Sequence, residues 1–162
     1  MRIQSFALPV LMCLAVSGCG SMITDNDPVT MVEADDAEMN AAIDQARGTV
    51  SEFIAALAAP KAGQSEFTVK VGVVDGAEVE HMWLANPTYV NGQFSGAISN
   101  DPEMVSNVKY GDLYTVAEQE ISDWMFVENG VLKGGYTLRV LRNQLSPTER
   151  AQFDKSVGFR IE

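Results

Sequence analysis

Residues Ile121–Arg142, ISDWMFVENGVLKGGYTLRVLR, constrain the fold more than any other stretch. With almost no spacer they carry Trp124, an Asn129-Gly130 pair, a Gly134-Gly135 pair and a Tyr-Thr-Leu-Arg run. Asn-Gly between alternating apolar residues is the strongest short signal for a two-residue hairpin, because both residues tolerate positive φ. A second such pair stands at Asn91-Gly92. Two reversals of this kind point to antiparallel sheet.

The apolar period agrees. Phe67, Val69, Val71 and Val73 alternate with Thr68, Lys70 and Gly72, which predicts a half-buried strand. Asp75-Gly76 then turns the chain. Val79, His81 and Trp83 share one face of the next strand, against Glu78, Glu80 and Met82. That strand runs on to Tyr89-Val90 with an interruption near Pro87, and Asn91-Gly92 folds it into Phe94–Ile98. Asn100-Asp101-Pro102 opens a polar loop. Tyr110-Gly111-Asp112 turns into a strand at Leu113–Ala117, and the hairpin Asp123–Val127 with Val131–Lys133 follows.

Helices flank these strands. Met39, Ile43, Ala46, Val50, Phe53 and Leu57 form one apolar stripe at helical spacing, predicting a long helix over Asp35–Ala59. Asp35 or Asp36 caps it, with Glu38 placed to answer Asp35, and Pro60 ends it. Gly48 marks a kink or break, with Ser51 to cap a second piece. The stripe also fits a coiled-coil seam, but spans too few heptads to favour one. Tyr136–Leu145 carries both periods and is read as helix, since Leu, Arg and Gln are good helix formers. Ser146-Pro147-Thr148-Glu149 starts a short helix to Ser156, with Phe153 and Val157 packing inward. The expected fold is α+β. A twisted, mainly antiparallel sheet of five or six strands, able to curl into a half-barrel, is covered by a long N-terminal helix, with short C-terminal helices closing one end.

The first residues read differently. Met1-Arg2 is a short positive start, Phe6–Val16 is mostly apolar, and Val16-Ser17-Gly18 puts small residues ahead of Cys19. That is the layout of a secretory signal, and its ending resembles a bacterial lipobox. The resemblance implies cleavage after Gly18 and lipid attachment at Cys19. The apolar run is shorter than the roughly 20 residues that span a bilayer. The expected organisation is a lipoprotein signal peptide at 1–18, a flexible tether at 19–34 and a single domain at 35–162. Gly20 stands where an Asp would retain a lipoprotein in the inner membrane. The expected location is therefore the cell envelope, at the outer membrane facing the periplasm in a Gram-negative organism.

Cys13 and Cys19 are the chain's two cysteines. A lipidated Cys19 and a discarded Cys13 leave the body without a disulfide, thiol nucleophile or thiolate metal site. The formal charge is −11, and losing 1–18 removes one Arg and no acid. So acidic a body repels phosphate backbones and anionic lipid. Nucleic acid is excluded as a natural partner, and membrane attachment falls to the acyl chains on Cys19.

Glu80-His81-Met82-Trp83, Ser99-Asn100-Asp101-Pro102, Tyr110-Gly111-Asp112, Ile121-Ser122-Asp123-Trp124-Met125 and Gly134-Gly135-Tyr136-Thr137-Leu138-Arg139 occur in this order. Together with Ala46-Arg47 and Phe53 ahead of them, they resemble the YegJ-like bacterial domain of unknown function, over roughly residues 38–155. The resemblance implies no activity. Some members are lipoproteins, and some related small domains are linked to toxin immunity.

Candidate site residues follow from side-chain chemistry. His81, the one histidine, titrates near neutrality and offers a general base, but alternation points Glu80 to the other face. A core or edge histidine is the plainer reading. One His without a free Cys gives no zinc set. Asp123, Trp124, Tyr136 and Arg139 form the second group. Arg139 suits a bidentate clamp on carboxylate or phosphate; alternatively it pairs with Asp123 while Trp124 fills the core. His81, Trp83, Asp123, Trp124, Tyr136 and Arg139 together are the candidate binding cleft. Glu118, Glu120, Glu149, Asp154, Asp35, Asp36 and Glu38 read as solvated surface and lack EF-hand spacing. Gly134-Gly135 lacks a phosphate-loop pattern and suits a tight turn. No serine sits in a nucleophile elbow. No cofactor or metal is implied. The leading expectation is a lipid-anchored, non-catalytic binding or interaction module. Its alternatives are a small envelope hydrolase using His81 or Asp123 with Arg139, and an immunity protein against a secreted toxin.

Overall fold

The computed structural model describes residues 36–162. The expected signal and tether, with Cys19 and Asp35, lie outside the described residues.

Where one long helix was expected there are two, α1 (Ala37–Gly48) and α2 (Val50–Ala58). The break falls at Thr49. Its hydroxyl donates to the Gln45 carbonyl at 2.8 Å, and its N–H is shared among the last carbonyls of α1. Such back-bonding competes with the helix ladder, and Gly48 lowers the cost of leaving it. Ser51 does not cap α2; Thr49 holds that position without a side-chain bond. Asp36 caps α1, accepting from Glu38 N at 2.9 Å and Met39 N at 3.0 Å. No helix among the described residues is long and apolar enough to cross a membrane.

The strands are β1 (Gln64–Asp75), β2 (Glu78–Val90), β3 (Gln93–Ile98), β4 (Leu113–Ala117), β5 (Ile121–Glu128) and β6 (Val131–Gly134). They form one antiparallel sheet in the order β4-β3-β2-β1-β5-β6. The sheet stays open, with β4 and β6 as its edges. Both Asn-Gly pairs are the expected reversals: Asn91 and Gly92 have φ of 51° and 80°, Asn129 and Gly130 of 51° and 77°. β2 runs through Pro87 as one strand because a register shift between Ala85 and Thr88 absorbs it.

α1 and α2 lie on the face that carries Val69, Val71, Val73, Met82, Leu84, Phe94 and Trp124. Phe53, wholly buried, sits at its centre, its ring 5.6 to 6.5 Å from those of Phe67, Phe94, Trp124 and Phe126. Losing such a side chain to alanine costs about 3–5 kcal/mol. The Trp124 indole N–H donates to the Ala46 carbonyl at 2.9 Å and ties α1 to β5. The Glu80 carboxylate accepts the N–H groups of Glu103, Met104 and Val105, holding their loop over the same face.

Tyr136–Gln144 is helical (α3), as expected, and packs beside α1 and β5. α4 (Pro147–Ser156) starts with the expected capping box of Ser146 and Glu149. Arg142 clamps Asp154 at 2.5 and 2.6 Å, locking α4 to α3. Phe153 and Val157 are half-buried rather than core, since α4 covers only a margin of the sheet. The chain end then returns to β6, where Val131 bridges Arg160.

Candidate functional site

The second face of the sheet holds the polar chemistry. Register sets Lys70 of β1 opposite Trp83 of β2 and Asp123 of β5, and Gly72 opposite His81. Lys70, His81, Trp83 and Asp123 therefore share this face, while Trp124, opposite Val69, points to the helices. A register shift between Lys70 and Val71 leaves Ser122 as an extra residue in β5. Such a bulge re-aims a side chain, and the Ser122 hydroxyl turns to the same face, where His81 Nδ1 lies 2.9 Å away.

Gly72 makes that contact possible. It lies between the two partners, and a Cβ there would stand 3.3 Å from Val79 Cγ1 and 3.7 Å from His81 Cε1. The imidazole passes over Gly72 at van der Waals distance from where a Cβ would stand. Burial, then the charges of Lys70 and Arg47, hold His81 below its usual value. The ring is neutral at neutral pH.

Asp123 is wholly buried and faces α3. Its Oδ1 accepts from Trp124 N at 2.8 Å and Tyr136 N at 3.1 Å; its Oδ2 accepts from Thr137 N at 2.8 Å and Thr137 Oγ1 at 2.7 Å. α3 begins at Gly135, which has no side chain to cap it. Asp123 supplies the cap from 12 positions earlier, where a carboxylate meets the positive helix end. Burial holds its carboxyl above the usual range, against those four donors. Burial likewise lowers the Lys70 ammonium, opposed by the charge of Asp123.

The six expected cleft residues do not meet in one place. His81, Trp83 and Asp123 share a sheet face. Tyr136 stacks edge-on to Trp124 at 5.7 Å, and its hydroxyl lies 3.0 Å from Thr49 Oγ1. Arg139 neither pairs with Asp123 nor offers a free fork. It donates to the carbonyls of Gly134 at 3.0 Å, Leu132 at 3.1 Å and Glu162, pinning the chain end to β6. Trp124, Tyr136 and Arg139 line a cleft of about 520 Å³ together with Gln45, Glu52 and Lys133. Trp83 lines a separate recess under Leu138 and Phe159.

Several acids have structural duties. Asp36 caps α1, Glu149 closes the box of α4, Asp154 holds Arg142, and Glu118 accepts from the Tyr89 hydroxyl. Among the described residues no group of three or more His, Cys, Asp or Glu is placed to hold a metal ion. Lys70, Ser122 and Thr137 were missed as site residues. Lys70 had a signal, being the lone charge in an otherwise apolar alternation. Ser122 had none, because a bulge decides its direction.

The same order of residues recurs in known proteins. Residues 36–161 match the family described as "Uncharacterized protein conserved in bacteria (DUF2314)". The chain belongs to this family. It is 40% identical over 104 residues to the uncharacterized protein YegJ of Escherichia coli (strain K12), covering 64% of this chain and 67% of that one. It is 38% identical over 86 residues to a putative ankyrin repeat protein of Neisseria meningitidis serogroup B, covering 52% of this chain and 34% of that one. No solved structure matches.

Proposed function

We propose that this chain is a lipid-anchored cell-envelope protein whose body is a non-catalytic interaction module. The observation that carries the reading is the state of the three groups with catalytic potential. His81 ends on a hydroxyl whose residue is 2 % exposed, and Asp123 is saturated by α3 instead of orienting the imidazole. A nucleophile, a base and an orienting acid in series are the requirement for acyl transfer. Beyond this cluster the face is open, with Val74 and Val79 exposed side by side. Its acidic body suits a partner carrying positive charge. The relative named for ankyrin repeats fits an interaction role, since stacked repeats present extended binding surfaces.

The 2.9 Å contact between imidazole and hydroxyl supports a second reading, a small envelope hydrolase built on His81 and Ser122. One experiment separates them. The lipidated protein, purified from membranes, is assayed against ester, amide, phosphate and glycoside panels beside His81→Ala and Ser122→Ala. The interaction reading expects no difference between the three proteins. Turnover that both substitutions abolish would replace it with the hydrolase. Separately, mass spectrometry of the processed N-terminus is expected to find Cys19 acylated, and an unmodified Cys19 thiol would refute the anchor.

A further inference from the structure

The recess lined by Trp83 is mostly apolar and has one unpartnered polar atom in its wall. It holds about 260 Å³ between the open sheet face and the C-terminal segment, and Thr68, Trp83, Met125, Leu138, Val157 and Phe159 line it. Among the described residues, Thr68 Oγ1 is the buried side-chain atom that lacks a hydrogen-bond partner. Buried hydroxyls are almost always paired, because an unpaired one forfeits its hydration with nothing in exchange. Thr68 lies between Ala85 and Met125 in the register, on the wall of the recess.

A cation stands over its Trp83 wall. Lys70, two residues along the same face, places Nζ 5.6 Å from the centre of the Trp83 ring and 3.4 Å from Thr137 Oγ1. No carboxylate among the described residues is in ion-pair reach of it. Asp123, its natural counter-charge, spends its lone pairs on α3. An ammonium carries three donors, and this half-buried one engages a single distant hydroxyl.

We propose that this recess binds a small amphipathic carboxylate: an aryl or short aliphatic group lies against Trp83, Met125, Leu138 and Phe159, and the carboxylate meets Lys70 Nζ and Thr68 Oγ1. The volume falls below the roughly 300–1,000 Å³ of drug-sized pockets, so one ring or a short chain fills it. The site is independent of any protein partner for the open face and needs no catalysis.

The test uses the full chain in lipid nanodiscs, with 13C-labelled methionine methyls, titrated with 3-phenylpropionate, 3-phenylpropanol and acetate. The expected result is a saturable shift of the Met125 methyl by phenylpropionate at roughly millimolar concentration or below. The alcohol is expected to bind about tenfold more weakly, and acetate not to shift this methyl. Lys70→Met removes the preference for acid over alcohol. Thr68→Val has nearly the same shape and removes the orphan hydroxyl. It is expected to melt at or above wild type yet to bind phenylpropionate several-fold more weakly. A Met125 methyl unmoved by the acid, equal affinity for acid and alcohol, or an acid preference that survives Lys70→Met would each overturn the proposal.

Discussion

His81 of β2 reaches across β1, over Gly72, to the Ser122 hydroxyl of β5 at 2.9 Å. Three strands are bridged by one imidazole because the middle strand lacks a side chain there. Gly72→Ala adds a Cβ 3.3 Å from Val79 Cγ1, a side-chain methyl able to give, and is expected to be near neutral. Gly72→Val puts methyl groups where the ring lies. Overpacking costs about 1–3 kcal/mol, against a gain in strand propensity of up to about 1 kcal/mol. The net expectation is modest destabilisation, with the His81 titration moved up toward the free imidazole value. NMR of the His81 ring in both variants decides it; an unmoved titration in Gly72→Val would show that the gap is incidental.

The same imidazole gives the fold a pH dependence. Burial, Lys70 and Arg47 keep the folded value below 6.5. In the unfolded chain the ring takes its proton at higher pH, so between the two values the unfolded state binds more protons. Stability is therefore full above the ordinary imidazole value and declines as pH falls through it toward the folded value. His81→Gln is expected to remove this slope. Glu80 and Asp75 do not mimic it. Burial raises the Glu80 carboxyl, but the N–H groups of Met104, Glu103 and Val105 outweigh it; the Ser106 N–H and hydroxyl lower Asp75 against a smaller effect of burial. Both therefore lose their stabilising charge only at more acid pH. Urea unfolding at about pH 7.5 and about pH 5.5 is the measurement, and an equal slope in His81→Gln would assign the dependence elsewhere.

Asp123→Ala deletes the acceptor for four donors at once and leaves α3 without a cap. Each bond to a charged group contributes about 1.5–3 kcal/mol, less than additively, so a loss of about 3–5 kcal/mol is expected. Asp123→Asn keeps one acceptor oxygen but turns an amide N–H₂ toward donors, and falls between. Thermal melts by circular dichroism rank the three. An Asp123→Ala protein within about 0.5 kcal/mol of wild type would mean that water caps α3 equally well.

Local chemistry was legible in the sequence and long reach was not. Asn91-Gly92, Asn129-Gly130 and the Ser146–Glu149 box act within four residues, and all three hold. Period alone separated Phe67–Val73 from the helical stripe ending at Leu57. Period could not show that Thr49 would end the first helix, because Gly48 alone permits either course. Nor could it show which partner Arg139 would find, since three carbonyls compete with any anion. His81, Trp83 and Asp123 were legible as polar or aromatic residues on strands. Alternation already put His81 and Trp83 on one face; that Asp123 joins them depended on sheet order and register, and the reach of His81 depended on the bulge that turns Ser122 toward it. Asp123 as a cap was hidden by the hairpin between it and α3.

Gly134 and Gly135 look alike in sequence and differ in what surrounds them. Both have positive φ, 68° and 64°, where a Cβ costs roughly 1–2 kcal/mol. At Gly135 an added Cβ meets Leu132 Cδ2 at 2.7 Å, a side chain rather than backbone. At Gly134 it would lie 2.2 Å from the Trp124 carbonyl oxygen and 2.5 Å from Trp124 Cε3. That carbonyl accepts from Gly135 N at 2.8 Å, and the same indole is tied to Ala46. Backbone and ring cannot retreat without releasing the start of α3 and the seat of α1 together. Gly135→Ala is expected to cost about 1–2 kcal/mol and Gly134→Ala more than about 4 kcal/mol. Denaturant midpoints for the two variants, side by side, check the order. Equal losses would mean that the shared dihedral strain governs this turn rather than the close approach of Trp124.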